Sequence, residues 1–366
     1  MPRLPTSLIR KAYSYSPLLP LLLKATRDLA LAKNELRWLQ EHISSIHRLR
    51  KCTPKQYLPK PPTLSQLCRI RSTGEPLQYI LGSQPFGDLE ILCRKGILIP
   101  RPETEVYTTR LSNLLLRHGS IGNGNVESLQ ILDLCAGTGC IGLSLYAALH
   151  RQIPDVRVRA IDFNPQARNL AWKTVKLNQH LGRLSPSLSK SQFDYVLADL
   201  LNNEEIAAVV QSDATFNIVV SNPPYISIPA FSRDTSRSAR IFEPSNALVP
   251  PDSVGITGER TGDLFYDHIL RLSWRARPQI VCMEVADLEQ ALRVMRAVKD
   301  MEAIDGSLWE AKQIWRDEID VQGNECSTEW NADVNAAIIG EGSGRAVVLA
   351  RSWGVDVIKH DTAAFG

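Results

Sequence analysis

From Val106 onward the sequence alternates short apolar runs with longer amphipathic stretches, and no other feature constrains the fold as strongly. "SLQILDL", "VRVRAID", "FDYVLADL", "FNIVVSNPPY" and "QIVCMEV" read as strands, with "GRAVVLARSW" as the last. Between them, Val106–Arg117, "GCIGLSLYAALH", "NPQARNLAWKTVKLNQ", Glu204–Val210, "GDLFYDHILRLSW" and "DLEQALRVMRAV" read as helices. Strands that alternate with helices imply a mostly parallel sheet covered on both faces, an α/β fold. Ligands in such sheets bind beyond the carboxyl ends of the strands. Residues 300–343 are acidic and glycine-rich, and an irregular excursion is expected there.

The first seventy-odd residues follow a different rule. Leu29, Ala32, Leu36, Leu39, Ile43 and Ile46 recur every three or four positions, an amphipathic helix with Glu35, Arg37 and Gln40 off the stripe. "CTPKQYLPKPPT" carries four prolines, which no helix interior tolerates, and Leu64–Ser72 reads as a second helix. Residues 1–73 are therefore expected to form a small helical domain. Residues 74–104 read as a hairpin around Gly96 and a connector, and 105–366 as the larger α/β domain.

Composition bounds the remaining possibilities. A net charge of +3 is too small to imply nucleic acid or membrane binding by itself. Seven cysteines with no CxxC pair read as reduced thiols, without a metal or disulfide framework. No apolar run reaches the roughly 18 residues that span a bilayer. The first 27 residues hold Arg3, Arg10, Lys11, Lys24 and Arg27 and no acid. That is the composition of a mitochondrial targeting segment, or of a basic, frayed N-terminus.

"ILDLCAGTGCIG" joins a strand to a helix, and Gly137, Gly139 and Gly142 match the dinucleotide fingerprint GxGxxG. Nicotinamide enzymes and S-adenosylmethionine enzymes both place glycines here. Asp133 at the strand end favours the latter, since a carboxylate accepts from a cationic amino group and repels a pyrophosphate. Asp162, ending the next strand, suits the two hydroxyls of a ribose; its other reading is a helix N-cap, a role Asn164 can fill instead. Asp199 and Leu200 end the third strand. There an acid can accept from an exocyclic amine and an apolar side chain can cover an adenine face; Asp199 equally suits simple solvation of a strand end.

"NPPY" ends the fourth strand. Pro223 and Pro224 remove two donors and fix φ, so the turn is stiff. The Asn222 side-chain oxygen and the Pro223 carbonyl then form two acceptors, and Tyr225 a wall. Such an array suits a planar –NH₂ group, aiming its nitrogen at a reactive methyl with no strong base required.

"GEPLQYILGSQPFGDLEILCRKGILIPRPETE", "ILDLCAGTGCIG", "SNPPY" and "FEPSNAL" together resemble the glutamine methyltransferases that modify class I peptide-chain release factors. The likeness runs from about Gly74 to Glu284, with "RAVVLAR" matching beyond it. It implies a Rossmann-like, seven-stranded methyltransferase fold with a small N-terminal helical domain, which by its position is expected to dock the substrate. It also implies methyl transfer from S-adenosylmethionine to the glutamine amide of a Gly-Gly-Gln motif. Carried over, Cys135, Ala136, Gly137, Thr138, Gly139, Asp162, Leu200 and Asn222 resemble cofactor contacts, with Asp133 and Asp199 added from the reading above. Asn222, Pro223, Pro224 and Tyr225 resemble the catalytic and substrate-glutamine site. Arg101, Pro102 and Glu103 lie in the family's connector, expected near the cofactor mouth or, for Arg101 and Glu103, in a structural ion pair. Ala286 stands where the family often has glycine, which leaves Glu284 without an assigned role; that of Glu243 is also open. The opening "MPRLPTSLIRKA" resembles fungal mitochondrial members, implying a mitochondrial matrix enzyme, otherwise a cytoplasmic one. A monomer is expected, with a release factor as partner and no membrane or direct nucleic-acid contact. The competing readings are methylation of the exocyclic amine of adenine and a cofactor-bound scaffold.

Overall fold

The computed structural model describes residues 3–52, 61–117, 127–210, 216–252, 257–306, 308–321 and 327–359. The chain divides into two compact units. One comprises Met1–Gln84, Cys93–Gly96 and Ser236–Glu243; the other comprises Pro85–Leu92, Ile97–Thr235 and Pro244–Gly366.

The first unit is built on α1 (Thr6–Tyr15), α2 (Leu19–Thr26), α3 (Leu29–Cys52), α4 (Leu64–Ser72) and α5 (Leu77–Leu81). Ala32 and Leu39 of the α3 stripe are fully buried beside Ala12, Leu19, Leu22, Leu23, Leu67 and Cys68. The basic segment before Asp28 is therefore folded: α1 and α2 supply four of those side chains. α4 starts on a capping box, in which Thr63 Oγ1 accepts from Gln66 N–H and the Gln66 side chain accepts from Thr63 N–H. Glu35, placed off the stripe by periodicity, is in fact buried. Arg71 reaches it with two parallel bonds of 2.8 and 2.9 Å, which supplies the partner a buried carboxylate requires.

β1 (Ser83–Phe86) and β2 (Leu89–Leu92) form a two-stranded sheet. Its turn is at Gly87-Asp88, with Gly87 at φ +56°, and not at Gly96 as expected; Gly96 makes a later left-handed turn of its own. α6 (Pro102–Arg117) begins on a proline, which suits the first helical position. Then follow β3 (Ser128–Leu134), α7 (Cys140–Leu149), β4 (Asp155–Asp162), α8 (Pro165–His180), β5 (Phe193–Leu197) and α9 (Asn203–Val210). β6 (Ile218–Ser221) leads through α10 (Ile228–Arg233) and α11 (Arg237–Phe242) to α12 (Leu264–Ala276), β7 (Ile280–Glu284) and α13 (Leu288–Asp305). α11 belongs to the first unit, where Ser238 donates to the Gly74 carbonyl at 2.6 Å.

Residues 300–343 are not an irregular excursion. They contain β8 (Ala311–Glu318), β9 (Thr328–Asn331) and β10 (Ala336–Ile339), before β11 (Glu341–Ala350) and α14 (Trp353–Lys359). The sheet order is β5-β4-β3-β6-β7-β11-β8-β10-β9. The first seven strands in that order make the expected mostly parallel sheet, with β11 antiparallel to both β7 and β8. β10 and β9 extend it to nine. Alternate residues feed opposite faces: Ile218 and Val220 join one apolar cluster, Val219 the other. Burial on both faces is why these strands read as unbroken apolar runs. No helix among the described residues is long and apolar enough to cross a membrane.

Candidate active site

β3 stops at Leu134 and the glycine loop begins in a left-handed conformation, with Cys135 at φ +56° and Gly137 at φ +52°. A side chain at φ > 0 is strained, so Cys135 stores some cost where the loop turns. Three bonds hold the loop: Ala136 N–H donates to the Ile161 carbonyl, Gly137 N–H to Asp162 Oδ2 at 2.8 Å, and Tyr195 Oη–H to the Gly137 carbonyl at 2.7 Å. Beside Gly137 there is open space where a Cβ would point. Gly142 is glycine for a different reason. A Cβ there would lie 2.7 Å from Val158 Cγ1 and 3.0 Å from Asp133 Oδ2, so helix and strand could not approach so closely.

Asp133 sits beneath this loop with no accessible surface. Its Oδ2 accepts from Gly142 N–H at 2.9 Å, while Oδ1 has no partner. Burial pushes the carboxyl up from 3.8 to about 7, against the Gly142 N–H, which lowers it. The folded chain thus holds this proton more tightly than the unfolded chain. Its contribution to stability is intact below 3.8 and is lost as pH rises through about 7. Asp133→Asn, which stays neutral, is expected to be stabilised relative to the unaltered chain by more at about pH 8 than at about pH 5. Urea denaturation without ligand reads this; an equal difference at both pH values would show that the carboxyl is not raised.

Asp162 is half-buried at the end of β4. Its Oδ2 braces Gly137, and Oδ1 accepts from Asn164 N–H at 2.9 Å. Asn164 is the helix cap, accepting from Gln166 N–H. Asp199 is exposed, its Oδ1 accepting from Leu201 N–H, and Leu200 is buried in an apolar cluster with Leu134 and Ile161.

The NPPY turn leaves β6 beside the end of β7. Asn222 Nδ2–H donates to Thr104 Oγ1 at 3.2 Å, and Thr104 donates to Glu284 Oε2 at 2.6 Å. Tyr225 Oη–H donates to Glu284 Oε1 at 2.9 Å. Pro223 and Pro224 are buried. Behind the turn, Gln290 donates to the carbonyls of Tyr225 and Gly262 and to Asp263 Oδ1. Tyr266 donates to the Glu284 carbonyl at 2.7 Å. Burial raises the Glu284 carboxyl, while bonds from Thr104 and Tyr225 lower it. Burial, then the Glu284 charge, pushes the Tyr225 phenol well above its ordinary value. Tyr225 therefore keeps its proton.

A family model described as the methyltransferase small domain matches residues 111–248. The mitochondrial MRF1 N(5)-glutamine methyltransferase of Saccharomyces cerevisiae is 33% identical over 300 residues, covering 82% of this chain and 81% of that protein. The chain belongs to the release factor glutamine methyltransferase family. The probable mitochondrial counterpart of Schizosaccharomyces pombe is 35% identical over 254 residues, 68% of this chain and 73% of that one. A Bifidobacterium longum release factor glutamine methyltransferase is 30% identical over 243 residues, 65% and 74%. As a member of this family the chain is a methyltransferase with S-adenosylmethionine as its methyl donor. The residues present fit that donor, which carries an ammonium group: open space faces Gly137, and an unpaired carboxylate oxygen of Asp133 lies beneath the same loop.

For this glutamine methyltransferase, sequence reading brought Asn222 and Tyr225 to one place but missed what holds them. Thr104 lies inside "RPETE" next to Glu103, and only the structure distinguishes the buried hydroxyl from its exposed neighbour. Gln290 is three residues beyond the Asp287 cap, so a capping-box pattern was legible. Its side chain instead turns to the Tyr225 carbonyl. Glu284, left without a role by sequence, is the acceptor on which Thr104 and Tyr225 converge.

Proposed function

We propose that this chain methylates the side-chain amide nitrogen of the glutamine in the Gly-Gly-Gln motif of a class I release factor, in the mitochondrial matrix. The observation that carries the reading is the orientation of Asn222. One of its amide N–H groups donates to Thr104, so its oxygen turns the other way, as an acceptor. Asn222 Oδ1 and the Pro223 carbonyl take the two amide hydrogens of the glutamine, with Tyr225 as the wall. Held so, the amide nitrogen presents its out-of-plane lone pair, and the gain is orientation. S-adenosylmethionine supplies an activated methyl group on a sulfonium. A new N–C bond forms, and the nitrogen releases one proton to solvent, so no side chain here is required as a strong base.

On the cofactor side, Cys135, Ala136, Gly137, Thr138 and Gly139 form the cradle. Asp133 lies beneath it without accessible surface and supplies negative charge as its carboxyl ionises, which burial shifts up to about 7. Asp162 serves the ribose with its remaining lone pairs, and Asp199 and Leu200 the adenine. Residues 1–73 dock the rest of the partner, 74–104 connect, and 105–366 carry the chemistry. Mitochondrial placement draws on the acid-free basic segment 1–27 and on the names of the two yeast relatives. Within that segment Leu19, Leu22 and Leu23 fill a core.

Incubation with labelled S-adenosylmethionine and a mitochondrial release factor tests the reading. Label is expected in the factor and not in a variant whose motif glutamine is replaced, nor in nucleic acid. Label in the glutamine-free variant, or in nucleic acid alone, would refute it.

A further inference from the structure

An asparagine amide has nearly the same shape either way round, so turning it over exchanges an oxygen acceptor for an –NH₂ donor. At Asn222 the exchange would matter. Turned over, the side chain would present –NH₂ to a substrate –NH₂, donor against donor. Something on the far side must therefore select one orientation.

The direct neighbour, Thr104, cannot select by itself. A hydroxyl both donates and accepts, and would serve Oδ1 or Nδ2 equally. The next group does select. Glu284 is 1% exposed and ends β7. A hydroxyl donates to each of its two oxygens, so the side chain acts as an acceptor at both, and Oε2 takes the single Thr104 proton at 2.6 Å. Thr104 is then left with lone pairs alone toward Asn222, and only Nδ2–H can meet them, at 3.2 Å. The second oxygen is fixed in the same sense by the Tyr225 proton at 2.9 Å. Around this carboxylate stand Tyr107 and Thr104 of α6, Tyr225 after β6, Cys282 of β7 and Arg345 of β11. Thr104 is itself fixed, because it occupies the first turn of α6 and is 1% exposed.

We propose that Glu284 is a positioning residue which, through the hydroxyl of Thr104, fixes which way round the Asn222 amide sits and so makes it an acceptor toward the substrate. The proposal rests on the reading of Asn222 as the substrate-amide acceptor. It assigns a role to two side chains that never touch the substrate, and it gives the connector residue Thr104 a chemical reason to be a hydroxyl.

Thr104→Val keeps the shape and removes the relay. Turnover number is expected to fall about 10- to 50-fold, the cost of a buried donor without a partner. The KM for the release factor and the calorimetric affinity for S-adenosylhomocysteine are expected to stay within about twofold, since neither depends on the amide orientation. Thr104→Ser restores the hydroxyl and is expected to recover turnover to within about threefold of the unaltered chain. In an Asn222→Ala background, Thr104→Val is expected to cost nothing further, because its effect passes through the amide. A second readout needs no substrate. With ¹⁵N-labelled asparagine, one Asn222 side-chain proton is expected to exchange slowly in the unaltered chain and fast in Glu284→Gln. The β7 backbone amides should stay equally protected in both. Three results would overturn the proposal: unaltered turnover in Thr104→Val, a serine variant no better than valine, or slow Asn222 exchange persisting in Glu284→Gln. If the release factor takes no label even from the unaltered chain, the proposed function falls, and the exchange measurement alone decides the role of Glu284.

Discussion

Asn222→Ala is expected to lower the turnover number by about 10²–10³-fold, the usual size of effect when one preorganised polar partner of a reacting group is removed. On the proposed reading the change deletes one of two acceptors, and a single remaining acceptor leaves the substrate amide free to rotate about the bond it makes. Pro223 and Pro224, which follow residue 222, keep the turn in place, so the loss is of chemistry more than of fold. Cofactor affinity is expected to weaken only modestly. The glycine loop proposed to cradle it is held by Asp162, Tyr195 and the Ile161 carbonyl, none of which is hydrogen-bonded to the Asn222 side chain. Single-turnover methylation alongside calorimetric titration separates the two effects. Near-normal turnover would sink the acceptor role; cofactor binding lost in parallel would move Asn222 to the cofactor site.

That separation also explains what could be read from the chain without coordinates. The glycine loop was legible because backbone geometry demands particular residues: left-handed turns at Gly137 and Gly139, and close packing at Gly142. NPPY was legible because prolines restrict a turn by covalent structure alone. Strands buried on both faces, such as Ile218–Ser221, announced themselves as unbroken apolar runs. β8 did not, because "AKQIWRDE" hides a buried glutamine that donates to the Ile358 carbonyl and accepts from Trp315. A satisfied polar group in a core is invisible to hydrophobic periodicity. The same holds for Glu35, whose partner Arg71 is 36 residues away, and for Thr104 and Glu284, which lie 180 residues apart. Local chemistry can be read from sequence; a hydrogen-bond partner supplied by the tertiary fold cannot.

Gly262→Ala is expected to damage the site from behind. A Cβ at residue 262 would lie 2.3 Å from the Tyr225 carbonyl oxygen and 3.1 Å from both Ser227 N and Gln290 Nε2. The first is a backbone atom, so no rotamer change relieves the clash. Either the NPPY turn or the turn before α12 has to move. Gln290 spans that gap with donations to Tyr225 O at 3.1 Å, Gly262 O at 3.2 Å and Asp263 Oδ1 at 2.9 Å, so a shift stretches bonds on both sides. Overpacking of this kind costs about 1–3 kcal/mol, and a displacement of about 1 Å at a reacting group can cost on the order of 100-fold in rate. Both losses are expected together, in thermal unfolding and in turnover number. Gly258→Ala is the control. Its φ of +65° makes an alanine there strained, but no atom lies within 4 Å of the added Cβ. It should lose roughly 1 kcal/mol of stability and leave turnover unchanged. If Gly262→Ala behaved like Gly258→Ala, the close approach behind Tyr225 would not be what positions the NPPY turn.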